Sequence, residues 1–161
     1  RTTTLTHNGS VTAVAFSPDG HTLTTASTAS TSELWDITDR THPTRTTTLT
    51  HNGSVAAVAF SPDGHTVAIG AELWDITDRT HLARIANLTG HTNTAAAMAF
   101  SPDGHTLATT NNDNTAGLWD LRGILELSGH LTSWSCAAAG GGLAQEQWDT
   151  FAPGIPYRPT C

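Results

Sequence analysis

Histidine is the most conspicuous chemically capable residue in this chain, which contains nine of them. Imidazole nitrogens are the most common protein ligands for zinc, and zinc sites built on one element need short His spacings such as i, i+4. Here the histidines recur at long intervals instead, in three sets: His7, His51, His91 and His130; His21, His65 and His105; and His42 and His81. This spacing predicts no metal site.

Carboxylates are the second candidate for chemistry. They also recur, as Asp19, Asp63 and Asp103 in one sequence context and as Asp36, Asp75 and Asp120 in another. A catalytic acid–base pair would occur once, whereas structural residues recur with each repeat. The chain also has no Gly-x-Ser-x-Gly motif and no phosphate-cradling glycine loop. We therefore expect no catalytic residues, no cofactor and no enzyme activity.

Charge and hydropathy narrow the classes of partner. The 161 residues carry a net charge of −7, with seven scattered Arg and no Lys. Nucleic-acid binding normally requires a basic cluster, so it is not expected. No apolar run approaches the roughly 18 residues of a membrane span, and no secretory signal is visible, so we expect a cytoplasmic protein that does not contact a membrane.

A repeat organises the elements that carry these residues. Val14–Thr22 reads Val-Ala-Phe-Ser-Pro-Asp-Gly-His-Thr and returns as Val58–Thr66 and, with one change, as Met98–Thr106, at steps of 44 and 40 residues. Each copy is followed by Leu-Trp-Asp. Short β-prone runs separated by Ser-Pro-Asp-Gly turns predict strands at 11–16, 23–26, 33–37 and 45–49 of the first repeat. We expect an all-β chain.

These motifs resemble the WD-repeat (WD40) family over residues 1–135. The resemblance implies a β-propeller, built from four-stranded blades that stack on one another. Three complete blades and the start of a fourth at His130 are encoded, so the expected fold is an incomplete propeller. The family's phase also makes residues 1–5 an outer strand without its own blade.

The family pattern implies a buried hydrogen-bond chain in each blade. In the third repeat His91, Asp113 and Trp119 match it, with Thr109 or Thr110 as the hydroxyl. In the first repeat Ala29 stands at the Asp position, so His7 is expected to lack its acceptor. The second repeat is five residues shorter and lacks that Asp altogether. The first two blades are therefore expected to be looser than the third.

The last segment, residues 136–161, departs from the repeat. Leu143–Phe151 predicts a short helix, with Trp148 and Phe151 placed to cover the last blade. Cys136 and Cys161 bracket the segment, either as a disulfide or as reduced thiols. Scattered positions in it resemble the terminal tail of bacterial multidomain WD-repeat proteins.

The expected function is that of a non-catalytic scaffold for protein–protein interaction. The tail resemblance implies that the chain is the C-terminal sensor or docking part of a larger bacterial signalling protein. Two alternatives stay open: a degenerate repeat tract without a binding function, and a propeller that binds a small ligand or catalyses a reaction. Self-association through the open ends of the propeller is a further expectation.

Overall fold

A computed structural model describes residues 3–79, 81–88, 95–111 and 114–124. Eleven strands in these residues form three antiparallel sheets in chain order. The chain divides into two compact units, residues 1–121 and 122–161. All eleven strands belong to the first unit, and of the second unit only residues 122–124, which are helical, are described.

The first sheet is a four-stranded meander. It comprises β1 (Val11–Phe16), β2 (Thr22–Ser27), β3 (Thr31–Asp36) and β4 (Thr44–Thr50), paired in sequence order. Each strand overlaps its predicted range, and β1 matches it at both ends. The predicted outer strand over residues 1–5 is wrong for its described part, because residues 3–10 contain no strand.

The second sheet repeats this meander in a shortened form. Its strands are β5 (Val58–Phe60), β6 (Thr66–Ile69), β7 (Glu72–Asp75) and β8 (Ala83–Asn87). The missing five residues are absorbed between β6 and β7, where Ile69 pairs directly with Glu72. Gly70 has a φ of 60° and Ala71 does not have a positive φ, which fits a two-residue type II′ turn.

The third sheet contains β9 (Ala97–Phe100), β10 (Thr106–Thr110) and β11 (Ala116–Asp120), in the order β11-β10-β9. The residues that would supply its outer strand lie beyond the described part of the chain. The start of a fourth blade, the helix predicted over Leu143–Phe151, the division at residue 135, and Cys136 and Cys161 also lie outside the described residues.

The main core lies between the first two sheets. Its buried members are Ala26, Leu34 and Leu49 from the first repeat and Val55, Val67, Ile69 and Ile76 from the second. Because side chains alternate across a strand, the cross-strand neighbours Phe60, Val67 and Trp74 face the first sheet. Their sequence neighbours, including the fully buried Leu73, lie on the opposite face of the second sheet. The sheets therefore stack face to face, as blades do.

Candidate functional site

The three Ser-Pro-Asp-Gly-His turns are built alike. In the first turn the Asp19 carboxylate accepts from the Ser17 hydroxyl and from the His21 backbone N–H at 2.9 Å. The same pair of bonds fixes Asp63 and Asp103 in the other two turns. Gly20, Gly64 and Gly104 all have a positive φ of 72–75°, which is why this position is Gly. These carboxylates are structural acceptors.

The hydrogen bonds within the turns also lower the pKa values of the turn aspartates. The Ser17 hydroxyl, followed by the His21 backbone N–H, holds the pKa of Asp19 well below its ordinary value. The corresponding donors, Ser101 and His105, lower the pKa of Asp103. For Asp63, burial raises the pKa, but Ser61 and the His65 backbone outweigh it and the net shift is downward. A lowered pKa suits a fixed anionic acceptor and does not suit a general acid near neutral pH.

A buried network surrounds His7 in the first sheet. Nδ1 of His7 lies 3.0 Å from Oε2 of Glu33, whose other oxygen accepts from Nη1 of Arg45 at 3.0 Å. Glu33 is only 4% exposed. The His7 and Arg45 side chains both contact the ring of Trp35, with centroid distances of 5.8 Å and 5.9 Å. Arg45 stabilises this carboxylate through Oε1, whereas Oε2 is buried without a hydrogen-bond partner in the part of the chain that the structure describes.

The prediction that His7 lacks its hydrogen-bond acceptor is not overturned, because Oε2 of Glu33, although 3.0 Å from Nδ1 of His7, is buried without a hydrogen-bond partner among the described residues. The turn aspartate is absent, as the sequence indicates, and the carboxylate beside the histidine comes from a different strand. Glu33 lies on β3, two residues before Trp35, where its longer side chain reaches the same histidine.

His51 occupies the equivalent place in the second sheet and has two partners. Its Nδ1 lies 2.9 Å from Oε2 of Glu72, and its Nε2 lies 2.7 Å from the hydroxyl of Ser32. Trp74 also donates to Oε2 of Glu72 at 3.2 Å, and Arg84 donates to Oε1 at 3.0 Å. Because Ser32 belongs to β3 and Glu72 to β7, His51 joins the first sheet to the second. The second repeat lacks the turn aspartate, as the sequence indicates, and Glu72 on β7 takes its place as the partner of His51.

The sequence did contain a signal for these networks. Glu33 and Arg45 are twelve residues apart, as are Glu72 and Arg84, and each Glu stands two residues before its Trp. In the third repeat Gly117 replaces the Glu, and the residue twelve positions later, Gly129, is not an Arg. The Glu and the Arg thus occur together in the first two repeats, and neither occurs in the third.

The third sheet contains part of the predicted chain. Nε1 of Trp119 donates to Oγ1 of Thr109 at 3.0 Å, which places Thr109, and not Thr110, in the hydroxyl position. His91 and Asp113 lie outside the described residues, so their part in this network stays a prediction. Trp35 makes the equivalent bond to Thr25 at 3.3 Å.

The remaining surface offers an apolar face on the first sheet. Val14 and Phe16 are 58% and 65% exposed on β1. Phe16, Leu23, Ile37 and Arg40 line a cleft of about 490 Å³ on that face. Large exposed side chains grouped in this way mark interaction surfaces. This cleft is the best candidate for a functional site.

Metal binding and membrane insertion have no structural support in the described residues. Over 3–79, 81–88, 95–111 and 114–124, no three His, Cys, Asp or Glu side chains are grouped so that they could ligate a metal ion. Nor does that part of the chain contain a helix with the length and hydropathy needed to cross a bilayer.

Comparisons with known proteins agree with this architecture. The family model described as WD domain, G-beta repeat matches residues 1–36, 43–79 and 82–120, which is more than half of the chain. A chain in the solved structure of U3-55K superimposes with a TM-score of 0.66 at 20% sequence identity. That match covers 74% of this chain and 38% of the other. A search of curated proteins found no match.

Proposed function

Since this chain belongs to the WD40 family of G-beta repeats, we propose that it is a non-catalytic scaffold that binds a protein partner through the apolar face of its first sheet. WD40 repeats generally serve protein interaction, and the family is generally non-enzymatic. The cleft lined by Phe16 and Arg40 carries the assignment to this face. It combines exposed aromatic surface with a cation, a composition enriched at protein interfaces.

The structural roles of the residues considered as catalytic candidates favour a scaffold over an enzyme. The turn carboxylates Asp19, Asp63 and Asp103 accept bonds within their own turns. His7 and His51 lie in buried networks between strands. These groups hold the fold, and a buried partner-bonded histidine is poorly placed to exchange protons with a substrate.

The condition of the second repeat weighs against a degenerate tract without function. All four of its strands pair in register despite the missing residues. Its central strand is fully buried at Val67, Ala68 and Ile69. A deletion that is accommodated by a well-formed turn and a replaced acceptor is consistent with a repeat that remains under structural constraint.

The proposal also covers the larger protein in which this chain would act. The likeness of residues 136–161 to bacterial multidomain tails supports a role as the C-terminal docking part of a larger cytoplasmic signalling protein. Sequencing the coding region upstream of residue 1 tests this directly. A kinase or ATPase domain in the same reading frame supports the assignment, and a start codon immediately before the first repeat removes it.

The binding surface is tested by capture with variants. The 161-residue chain, the variant Phe16→Asp and the control Asn52→Asp, at an exposed loop position after β4, are used as bait in a bacterial lysate, and captured proteins are cross-linked and identified. We expect one partner whose cross-links map to the cleft, retained by the control and lost with Phe16→Asp. The partner is then purified and its affinity is measured. Equal binding to both variants contradicts the proposed site, and circular dichroism verifies that each variant is folded.

A further inference from the structure

The outward faces of the first and third sheets carry the same residue types that are buried where neighbouring sheets pack together. We call the face of the first sheet that carries Val14, Phe16 and Arg40 the leading face. We call the face of the third sheet that carries Ala99, Ala108 and Leu118 the trailing face. Within the chain, the trailing face of one sheet packs on the leading face of the next.

The exposure of equivalent side chains shows how each outward face differs from the packed inner faces. Leu34, Leu73 and Leu118 precede the Trp of their repeats and lie on trailing faces. Their exposures are 1%, 0% and 76%. On the leading side Phe16 is 65% exposed, whereas Phe60 and Phe100 are half-buried. Among the described residues, the two outward faces are therefore interface surfaces without the neighbour that the same residues have elsewhere in the chain.

An ion pair between adjacent sheets shows how the faces recognise each other. Arg79, in the Asp-Ile-Thr-Asp-Arg-Thr segment of the second repeat, binds Asp19 in the turn of the first. Arg40 has the same place in the first repeat and Asp103 has the same place as Asp19 in the third. In the described part of the chain no carboxylate pairs with Arg40, and the bonds to Asp103 come from its own turn. The leading face thus presents a cation and the trailing face its anion.

The turns stack in a matching way. A Cβ on Gly64 would lie 3.5 Å from Pro18 of the preceding turn, and one on Gly104 would lie 3.6 Å from Pro62. Gly20, on the leading side, has open space within 4 Å. Pro102 is the next proline in the series. The open space beside Gly20 corresponds to the position that the preceding turn occupies beside Gly64 and Gly104.

From these three correspondences we infer that a second copy of this chain docks head to tail, its trailing face against the leading face. Arg40 of one copy then pairs with Asp103 of the other, Phe16 packs near Leu118, and Pro102 stacks on Gly20. This inference rests on the proposed function, since it names a second copy as an occupant of the first sheet's apolar face.

The symmetry of this contact favours a closed dimer. Head-to-tail contacts either close into a ring or grow into a filament. The three sheets in the described part of each copy make six, which lies within the roughly four to eight blades of closed propellers. In a closed dimer both ends of each copy are covered, and the Arg40–Asp103 pair forms twice.

Charge reversal tests the pairing. The mass of the full 161-residue chain is measured by sedimentation equilibrium from about 1 to 100 μM, a range over which a dimer with a micromolar dissociation constant forms and dissociates. We expect a dimer. Arg40→Asp and Asp103→Arg are each expected to weaken dimerisation about tenfold or more, because an exposed pair is lost at both interfaces. The double variant restores the pairs with reversed polarity and is expected to recover most of the wild-type affinity. Asn52→Asp, at an exposed loop position after β4, is the control and leaves the dimer intact.

The outcomes separate this inference from the proposed function. A wild-type chain that stays monomeric throughout the range overturns the head-to-tail dimer, as does a double variant that is weaker than both single variants. A monomer that still captures another protein through Phe16 leaves the proposed function standing. A dimer that dissociates with Leu118→Asp and with Phe16→Asp, while both variants stay folded, supports the apolar part of the contact.

Discussion

His51 and Glu72 are joined across the boundary between the first two sheets, with Nδ1 of the histidine 2.9 Å from Oε2 of the glutamate. His51 follows the last strand of the first sheet, and Glu72 begins the third strand of the second. The carboxylate also accepts from Trp74 and Arg84. The Glu72 side chain thus connects His51, at the start of the second repeat, with Trp74, near its end.

Removing that carboxylate is expected to destabilise the protein. Glu72→Ala leaves the His51, Trp74 and Arg84 donors without their shared acceptor, and we expect the free energy of unfolding to fall by about 2–4 kcal/mol, since one partner of a largely buried pair is lost. Urea denaturation followed by tryptophan fluorescence measures this. Glu72→Gln keeps an acceptor oxygen and should cost less. Equal stability of Glu72→Ala and the wild type would contradict a structural role for the network.

The hydroxyl of Thr109 is expected to matter in the third sheet. Thr109→Val removes the acceptor for Nε1 of Trp119 at a site that is 1% exposed, and a cost of about 1–2 kcal/mol follows from an orphaned donor. Thr110→Val, one residue further along the same strand and exposed, is the matched control and should be nearly neutral. Urea midpoints of the two variants, compared at equal m-value, decide the matter. A larger loss for Thr110→Val would place the hydroxyl on the wrong residue.

The shortened second repeat depends on Gly70. Its φ of 60° disfavours residues with a Cβ, while the added methyl would meet Val55 only at an ordinary 3.7 Å. Gly70→Ala is therefore expected to cost about 1–2 kcal/mol through backbone strain alone. Gly53→Ala, at an exposed position without positive φ and with open space around it, should not lower the melting temperature. A neutral Gly70→Ala would mean that the turn relaxes to another type.

Acid should weaken the fold through the turn aspartates. Their pKa values are lower in the folded chain than in the unfolded one, so each contributes stability that is present above the unfolded value of about 3.9 and is lost as pH falls towards the folded value. Asp39, whose pKa the Thr41 hydroxyl and backbone N–H and the His42 side chain lower to about 2, behaves in the same way. Urea midpoints are expected to fall steadily between pH 4 and pH 2.

The variant Asp103→Asn isolates one contribution to that slope. It cannot gain a proton in this range, so its midpoint should fall less steeply between pH 4 and pH 2 than that of the wild type. Asp39→Asn provides the comparison at a linker position. Identical slopes for all three proteins would show that the acid sensitivity arises elsewhere.

The repeat, the strands and the turns could be predicted from the amino-acid sequence, because they depend on local chemistry. The Ser-Pro-Asp-Gly-His turn needs a hydroxyl, a carboxylate and a glycine within five residues, and all three are read directly from the chain. The two-residue turn at Gly70 was also predictable, since only that residue tolerates the required φ. The same is true of β1, whose alternating pattern has definite boundaries on both sides.

The carboxylate that faces each histidine and the apolar residues that stay exposed could not be predicted in this way, because both depend on how the sheets pack. His7 and Glu33 are 26 positions apart, and their contact depends on how the strands stack, which no local pattern encodes. Leu34 and Leu118 share the same local sequence, Leu-Trp-Asp, yet one is buried and the other is exposed. The difference is whether another sheet lies against that face, because burial is a property of the neighbour as well as of the residue.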